Sequence, residues 1–363
     1  MITIVGGGLG GLTLASVLHR NGIAAIVYDA DLTATSRPQG GMLDIHQDTG
    51  QAALQAAGLL EAFGKLTLQH GDAMRILDKT GVVRLTHDGD GSRPEIDRGA
   101  LRNLLLSSLP PGLVRWNARV TGIERKESAF KLSFADGSVA TTQILIGADG
   151  AWSKVRPLLS EASPIYSGIS FVELRYLEAD EKHPTAVALV GKGMMMALSD
   201  ERAIFGHREP NNELCIYAAL KVPAEWSRQA ISRAMLREHF HDWHDDFHQA
   251  LASSDGDLLP RPIFMLPQGH RWPRMPGVTL LGDAAHLMSP FAGEGANLAM
   301  IDGADLARAI IAHPTDIERA FAEYEATMFP RARAAAAESA AGLELAFEAN
   351  APQAMLDFFT PKG

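Results

Sequence analysis

The sequence has a single cysteine, no long apolar run and no excess of basic residues. Cys215 on its own can form no disulfide bond within the chain and no cysteine-based zinc site, and such sparing use of cysteine is typical of a reducing compartment. No segment approaches the roughly 18 consecutive apolar residues of a membrane span. The first residues also lack the basic region of a signal peptide. We therefore predict a cytoplasmic protein that does not contact a membrane.

Negative charge predominates, with 33 Lys and Arg residues against 43 Asp and Glu residues and a net charge of -10. A nucleic-acid-binding surface needs a basic footprint that meets phosphates, so this balance excludes nucleic acid as a partner. The 363 residues, 46% of them hydrophobic, are sufficient for a full core in one large domain or two intermeshed ones. The composition is compatible with a small-molecule ligand.

The first thirty residues carry a strong local pattern. An apolar run at residues 2–5 precedes Gly6, Gly8 and Gly11, apolar residues follow at helical spacing, and a second strand ends at Asp29. A strand, a glycine-rich turn and a helix in this order bring backbone N–H groups to a pyrophosphate. Asp29 stands where a carboxylate would bind a ribose hydroxyl. The pattern predicts a dinucleotide site without distinguishing NAD from FAD, and a glycine-rich turn without a ligand is the alternative.

Two later segments carry further motifs. Residues 147–156 read GADGAWSKVR, and GDAAH at residues 282–286 continues to Pro290, Gly293, Gly295 and Asn297. With the glycine turn, they resemble the three motifs of the group A flavoprotein monooxygenases, the aromatic hydroxylases related to p-hydroxybenzoate hydroxylase. The resemblance implies FAD, NADPH as co-substrate, and hydroxylation of an aromatic or polycyclic substrate by O2 through a flavin C4a-hydroperoxide. Because the cofactor performs this chemistry, no catalytic acid, base or nucleophile is expected.

A closer resemblance runs through residues 40–46 (GGMLDIH), 94–98 (PEIDR) and 101–102 (LR), which are similar to the Tet(X)-type tetracycline-inactivating monooxygenases. It implies that Asp44, Arg98 and Asp283 contact FAD and that Arg37 acts with NADPH, while Asp29 replaces the usual Glu at the ribose. Arg98 and Arg102 lie one helical turn apart, so one can face the ligand while the other is solvated. Arg102 is also predicted at the cofactor, with a plain surface charge as the alternative. The other residues predicted there are Gly40, Gly41, Asp149 and Ala296.

The substrate residues of that family map to the middle of the chain. Where the family carries Gln, Arg and His, this sequence has Glu173, Met194 and Cys215, and Phe205 matches an aromatic residue of the pocket. A carboxylate and two softer side chains would reject or reorient a substrate that needs those hydrogen bonds. A tetracycline-like substrate, and with it antibiotic resistance, is therefore one expectation within a wider class of polycycles.

A group of histidines resembles a metal site: His239, His241, His244 and His248. The zincin motif requires Glu directly after its first histidine, but Asp245 follows His244. We therefore predict a solvated helix face and no bound metal.

The predicted fold is α/β, with a Rossmann-like FAD-binding domain, an inserted β-sheet substrate domain and a long C-terminal helix, as in p-hydroxybenzoate hydroxylase. The predicted segments are 1–71, 95–165 and 268–315 for FAD, 72–94 and 166–267 for substrate, and 316–363 for the helix bridging the two. We expect a monomer or a weak dimer. Two alternatives stay open: an NAD-dependent dehydrogenase, and an FAD-binding oxidoreductase or sensor that does not hydroxylate tetracyclines.

Overall fold

The computed structural model describes residues 1–36, 40–68 and 72–359. The chain divides into two compact units, which we call unit 1 and unit 2. Unit 1 comprises Met1–Thr67, Arg98–Ile165 and Phe264–Ser339, and unit 2 comprises Leu68–Asp97, Tyr166–Ile263 and Ala340–Gly363.

The strands are, in chain order, β1 (Ile2–Val5), β2 (Ala25–Tyr28), β3 (Met42–Asp44), β4 (Met74–Leu77), β5 (Val83–His87), β6 (Glu95–Asp97), β7 (Val114–Arg115), β8 (Val120–Lys126), β9 (Ala129–Phe134), β10 (Val139–Thr142), β11 (Leu145–Gly147), β12 (Ile165–Tyr176), β13 (Met194–Ser199), β14 (Arg202–Glu209), β15 (Glu213–Lys221), β16 (Asp255–Met265) and β17 (Val278–Leu280).

The α-helices are α1 (Leu9–Arg20), α2 (Ala52–Ala57), α3 (Leu60–Gly64), α4 (Arg98–Ser107), α5 (Ala179–Lys182), α6 (Pro184–Val190), α7 (Arg233–His239), α8 (Asp245–Ser253), α9 (Asp283–His286), α10 (Gly295–Ala312), α11 (Ile317–Phe347) and α12 (Gln353–Phe359).

Unit 1 is built on a five-stranded parallel sheet in the order β17-β11-β1-β2-β7. The buried Ile4 of β1 pairs with Ile146 on one side and Val27 on the other, as expected for β-branched residues covered on both faces. The carboxyl ends of parallel strands lie at the same edge of a sheet, which is where ligands bind in such folds. The segments that follow β1, β2, β11 and β17 include Gly6, Asp29, Asp149 and Asp283, so the predicted cofactor residues share this edge.

Unit 2 is built on a seven-stranded mixed sheet in the order β16-β12-β15-β14-β13-β4-β5. Alternate residues of its strands, such as Leu174, Ile204 and Ile216, pack with the apolar residues of α6, α7 and α8. The side chains between them point to the opposite face, because successive residues of a strand alternate. Met195 is thus buried among the helices, and its neighbour Met194 lies on the other face.

Helix ends differ from the prediction in two places. The predicted long C-terminal helix is confirmed as α11, and the segment that follows it within 316–363 forms the separate short helix α12. Pro352 lies in the break, where it has no N–H to continue the helical ladder and disfavours helical geometry at the preceding residue. The histidine-rich segment forms α7 and α8 instead of one helix, with the buried Phe240 and Trp243 in the turn between them.

Two further properties concern only the part of the chain that the structure describes. There, no helix combines the length and the apolar character needed to cross a lipid bilayer. Within the same residues, no three His, Cys, Asp or Glu side chains are grouped so that they could bind a metal ion.

Candidate active site

The glycine turn after β1 is tight on one side and open on the other. Gly6 has φ +109°, and a Cβ there would lie 2.1 Å from the Ala148 carbonyl oxygen. A Cβ on Gly11 would lie 2.1 Å from the Gly6 carbonyl oxygen, so helix α1 packs directly on the turn. A Cβ on Gly8, by contrast, would meet no atom within 4 Å, and no side chain caps the N-terminus of α1. The turn therefore presents bare backbone N–H groups to an open space.

Asp29, after β2, holds this turn in place. Its Oδ2 accepts the Gly7 N–H at 2.6 Å, and its Oδ1 accepts the Asp31 N–H at 2.8 Å. Arg102 is buried, which excludes the alternative that it is a solvated surface charge. Its guanidinium donates to the Gly7 and Ala34 carbonyl oxygens at 3.1 and 2.8 Å and to Asp31 Oδ2 at 3.2 Å. Arg102 thus braces the turn and the loop after β2 from within.

Two further carboxylates follow strands of the same sheet. Asp149 Oδ2 accepts the Lys154 N–H at 2.6 Å, and burial raises the pKa of this carboxyl. Asp149 Oδ1 is buried and accepts no hydrogen bond from any residue that the structure describes. Asp283, the first residue of α9, is exposed. Asp283 is therefore the carboxylate of this pair that a ligand rich in hydroxyl groups can reach, and Asp149 belongs to the interior of the loop after β11.

The loop before α10 is the second open backbone element. Gly293 has φ +66°, and a Cβ on Gly295 would meet no atom within 4 Å. Asn297 is fully buried and donates to the carbonyl oxygens of Asp44 and Gly293 at 2.9 and 3.2 Å. Its Oδ1 accepts the His46 N–H at 2.9 Å. Asn297 therefore joins the loop to the end of β3. Gly295 lies on the side of the loop where an added Cβ would meet no atom.

The remaining residues predicted at the cofactor are distributed around these loops. The Arg98 N–H donates to the Gly41 carbonyl oxygen at 3.2 Å, and Gly40 has φ +102° with the Arg98 side chain beside it. Ala296 is buried in the first turn of α10, and Pro290 is exposed before it. Arg37 falls outside the described residues.

His46 and Glu294 are two candidate functional residues that were not predicted from the sequence. His46 Nε2 lies 2.7 Å from Asp44 Oδ2, and His46 Nδ1 lies 3.1 Å from Glu294 Oε1. The hydrogen bonds to Asp44 and then Glu294 outweigh burial and raise the pKa of His46 to about 9. Local pattern could not reveal this group, because Glu294 stands 248 residues from His46 along the chain.

A buried ionic network supports the segment that carries Asp283. His286 Nε2 lies 2.5 Å from Asp302 Oδ2, which also accepts the Gly282 N–H at 3.1 Å. Arg331 donates to Asp302 Oδ1 at 2.9 Å. Burial alone would raise the pKa of Asp302, but the nearby His286 and Arg331 cations outweigh it and hold that pKa low. His286 thus belongs to the scaffold under α9.

The residues predicted at the substrate lie on four strands of unit 2: Glu173 on β12, Met194 on β13, Phe205 on β14 and Cys215 on β15. Tyr217 stands opposite both Glu173 and Phe205 in the register. His207 stands opposite both Cys215 and Met194. Because directly paired residues point to the same side of a sheet, all four share the face that α6–α8 do not cover. We call this surface the open sheet face.

Three aromatic residues lie next to one another on the open sheet face. The Phe171 ring lies 5.7 Å from the rings of both Phe205 and Tyr217, within the range of favourable aromatic pairs. Burial raises the pKa of the Cys215 thiol to about 12, so it stays protonated at neutral pH and is no nucleophile. Phe171 and Tyr217 were missed in the sequence, although strand alternation relative to Phe205 and Glu173 could have identified them.

Glu173 is already paired within unit 2. Its buried carboxylate accepts from Arg175 Nε at 2.8 Å and from Arg261 Nε at 3.0 Å. A substrate would therefore meet the guanidinium groups of Arg175 and Arg261 beside Glu173 instead of an unpaired carboxylate.

The geometry of unit 1 fits FAD. The open side of Gly8 leaves room for a pyrophosphate, and the bare N-terminus of α10 at Gly295 can face a ring on which negative charge develops. The exposed carboxylate of Asp283 can accept hydrogen bonds from ribose or ribityl hydroxyls. When bound, the flavin supplies the redox chemistry.

Comparisons with known proteins support this assignment. The model of a family described as FAD binding domain matches residues 1–339. Monooxygenase asqM of Emericella nidulans is 32% identical, over 84% of this chain and 82% of its own length. A Klebsiella pneumoniae HpxO structure with FAD and uric acid has a TM-score of 0.80 at 22% identity, covering 99% of this chain and 91% of that one. The tetracycline destructase Tet(51) has a TM-score of 0.74 at 19% identity, covering 98% and 94%. The two structures show a shared fold.

Sequence and structure thus agree on the cofactor and on the type of chemistry. The family match covers all three cofactor motifs, and the fold places their residues at one sheet edge. The chain belongs to the FAD-binding domain family of group A flavoprotein monooxygenases and is an FAD-dependent monooxygenase.

Proposed function

We propose that this monooxygenase hydroxylates a planar aromatic or polycyclic small molecule with NADPH and O2. FAD would occupy unit 1, and the substrate would lie on the open sheet face of unit 2. The observation that carries the proposal is the open backbone at Gly8 and Gly295 in unit 1, together with the exposed carboxylate of Asp283 after β17.

Each predicted cofactor element has a part in the proposal. The N–H groups at Gly8 would bind the pyrophosphate, and Asp29 would accept a ribose hydroxyl with a remaining lone pair. Asp283 would bind the ribityl chain, and residues 293–297 would hold the flavin ring. Arg37 and the Gly40–Gly41 turn would lie on the path of the nicotinamide. Only one dinucleotide fingerprint is present in the sequence, so NADPH would bind transiently without a Rossmann domain of its own.

The open sheet face supports an aromatic substrate. Phe171, Phe205 and Tyr217 offer ring faces, and buried apolar surface with a few placed polar groups is the usual composition of such pockets. Relatives named for aromatic substrates, such as 3-amino-4-hydroxybenzoate 2-monooxygenase PtnB3 of Streptomyces platensis, support the same class. A tetracycline is a second candidate, favoured by the fold shared with Tet(51). The pairing of Glu173 with two arginines favours a substrate that presents acceptors to them.

Replacement of Asp283 tests the cofactor assignment. We expect Asp283→Ala to bind FAD about 10- to 100-fold more weakly, since a hydrogen bond to a charged group contributes about 1.5–3 kcal/mol. The measurement is fluorescence titration of the apoprotein with FAD. Asp257→Ala, which removes an exposed carboxylate from unit 2, is the matched control and should bind FAD normally. Wild-type affinity in Asp283→Ala would exclude the proposed ribityl contact.

Replacement of Phe205 tests the substrate assignment. We expect Phe205→Ala to raise the KM for aromatic substrates about tenfold, because it removes a ring worth about 1.4 kcal/mol of contact, while flavin content stays unchanged. The assay is substrate-stimulated NADPH oxidation with benzoates, urate and tetracyclines. Ile204→Val, on the same strand but facing the helices, should leave every KM unchanged. An unaltered KM in Phe205→Ala for every substrate that is turned over would remove the open sheet face from the proposal.

A further inference from the structure

The side chain of His46 joins two acidic residues that are remote in sequence. It follows β3 and is largely buried, with Asp44 at Nε2 and Glu294 at Nδ1. A neutral imidazole has one N–H donor, and an ionised carboxylate can only accept. Two carboxylates at hydrogen-bond distance from the two ring nitrogens therefore require a doubly protonated ring. With both carboxylates ionised, this geometry makes His46 a cation between two anions.

The backbone around His46 is joined to the loop of residues 293–297. The His46 N–H donates to Asn297 Oδ1, and Asn297 donates in turn to the carbonyl oxygens of Asp44 and Gly293. A Cβ on Gly293 would lie 3.2 Å from Asp44 Oδ1, so the loop and the end of β3 are in close contact. A change in the position of residues 44–46 would consequently move the loop.

The charges of this group also bear on a ligand at the loop. Asp44 and Glu294 contribute two negative charges beside the N-terminus of α10, and protonated His46 leaves a net charge of -1. Without that proton the group carries -2. The first state is more compatible with a ring that becomes anionic on reduction, because like charges repel at short range.

We propose that His46 is a positioning residue of the flavin site, which holds Asp44 and Glu294 together, fixes the 293–297 loop and offsets the acidic charge facing the reduced cofactor. The inference rests on the proposed function, because it takes this loop to lie against the flavin ring.

The direction of the pH dependence follows from the protonated ring. The pKa of His46 is raised to about 9, by Asp44 first and Glu294 second. Its stabilising contribution is therefore complete below the ordinary histidine pKa of about 6.5 and is lost as the pH rises through about 9. The wild type should bind reduced FAD progressively less well over that interval.

The experiment compares the wild type with His46→Gln, Glu294→Gln and the double variant, measuring the FAD dissociation constant and the flavin midpoint potential between about pH 6 and 10. At neutral pH we expect the ratio of the dissociation constants of reduced and oxidised FAD to be at least tenfold higher in His46→Gln than in the wild type. The variant would therefore bind the oxidised cofactor preferentially. For a two-electron couple this lowers the midpoint potential by about 30 mV. The difference should shrink above about pH 9, where the wild-type histidine has also lost its proton.

The double variant separates charge from position. It restores the net charge of -1, so its potential should return towards the wild-type value, while its FAD affinity stays reduced because the bridge is absent. Glu294→Gln alone keeps the cation and removes an anion, and we expect it to raise the potential. This variant also provides the test if His46→Gln does not fold.

The inference is overturned if His46→Gln matches the wild type in FAD affinity and potential at every pH, or if Glu294→Gln leaves the potential unchanged. Failure of the proposed function looks different. In that case Asp283→Ala would also bind FAD as the wild type does. If only the His46 inference is wrong, Asp283→Ala weakens FAD binding and the His46 and Glu294 variants do not.

Discussion

A Gly8→Val variant is expected to fold and to bind FAD at least a hundredfold more weakly than the wild type. Gly8 has φ -76° and ψ -179°, which any residue can adopt, and a Cβ there would meet no protein atom within 4 Å. The apoprotein should therefore lose only about 1 kcal/mol, the usual cost of a poor residue at a helix N-cap. The side chain would fill the space proposed for the pyrophosphate and remove about two hydrogen bonds to a charged group, each worth about 1.5–3 kcal/mol.

Two other glycines provide the controls for Gly8. Gly11→Ala would place a Cβ 2.1 Å from the Gly6 carbonyl oxygen, so this variant should be less stable by about 1–3 kcal/mol even without ligand. Gly22→Ala changes a glycine with φ +70° that also faces open space, and it should cost about 1 kcal/mol without altering FAD affinity. FAD titration and urea unfolding of the apoproteins measure the two quantities. Normal FAD binding by Gly8→Val would contradict the proposed pyrophosphate site at Gly8.

An Asp302→Ala variant is expected to lower the free energy of unfolding by about 3–5 kcal/mol. The substitution leaves the buried His286 and the partly buried Arg331 without their shared anion and the Gly282 N–H without an acceptor. The helix that begins at Asp283 would lose its anchor, so FAD affinity should fall as well. Urea unfolding of the apoprotein measures the first effect, and FAD titration measures the second.

The neighbouring Asp305 offers a matched control. It pairs with Arg308 and Arg331 but is partly exposed, so Asp305→Ala should cost about 1 kcal/mol or less. Equal losses of unfolding free energy in the two variants would show that the buried network under α9 stabilises the protein no more than a partly exposed ion pair does. A loss below about 1 kcal/mol in Asp302→Ala would have the same meaning.

Local patterns predicted the elements around the glycine turn well. The apolar run before Gly6, the helix after it and the strand before Asp29 are all readable within thirty residues, and the structure forms β1, α1 and β2 there. The α/β class and the parallel sheet follow from such segments, because each strand carries its own burial pattern.

Long-range pairing could not be predicted in the same way. Arg102 shows this limit, since one helical turn of sequence cannot reveal that its guanidinium reaches the carbonyl oxygens of Gly7 and Ala34. The bridge from His46 to Glu294 depends on two loops brought together by the sheet. The pairing of Glu173 with Arg261 likewise spans 88 residues. Such contacts are set by tertiary packing, about which local periodicity carries no information.

Titration of the apoprotein with FAD and, separately, with FMN tests the central claim most directly. In the proposed function, the turn around Gly8 and the carboxylate of Asp29 would hold the adenosine diphosphate half of the cofactor, which FMN lacks. We predict that FAD binds at least a hundredfold more tightly than FMN and gives the absorbance spectrum of a protein-bound oxidised flavin. Equal affinities for the two flavins, or no binding of FAD, would contradict the account.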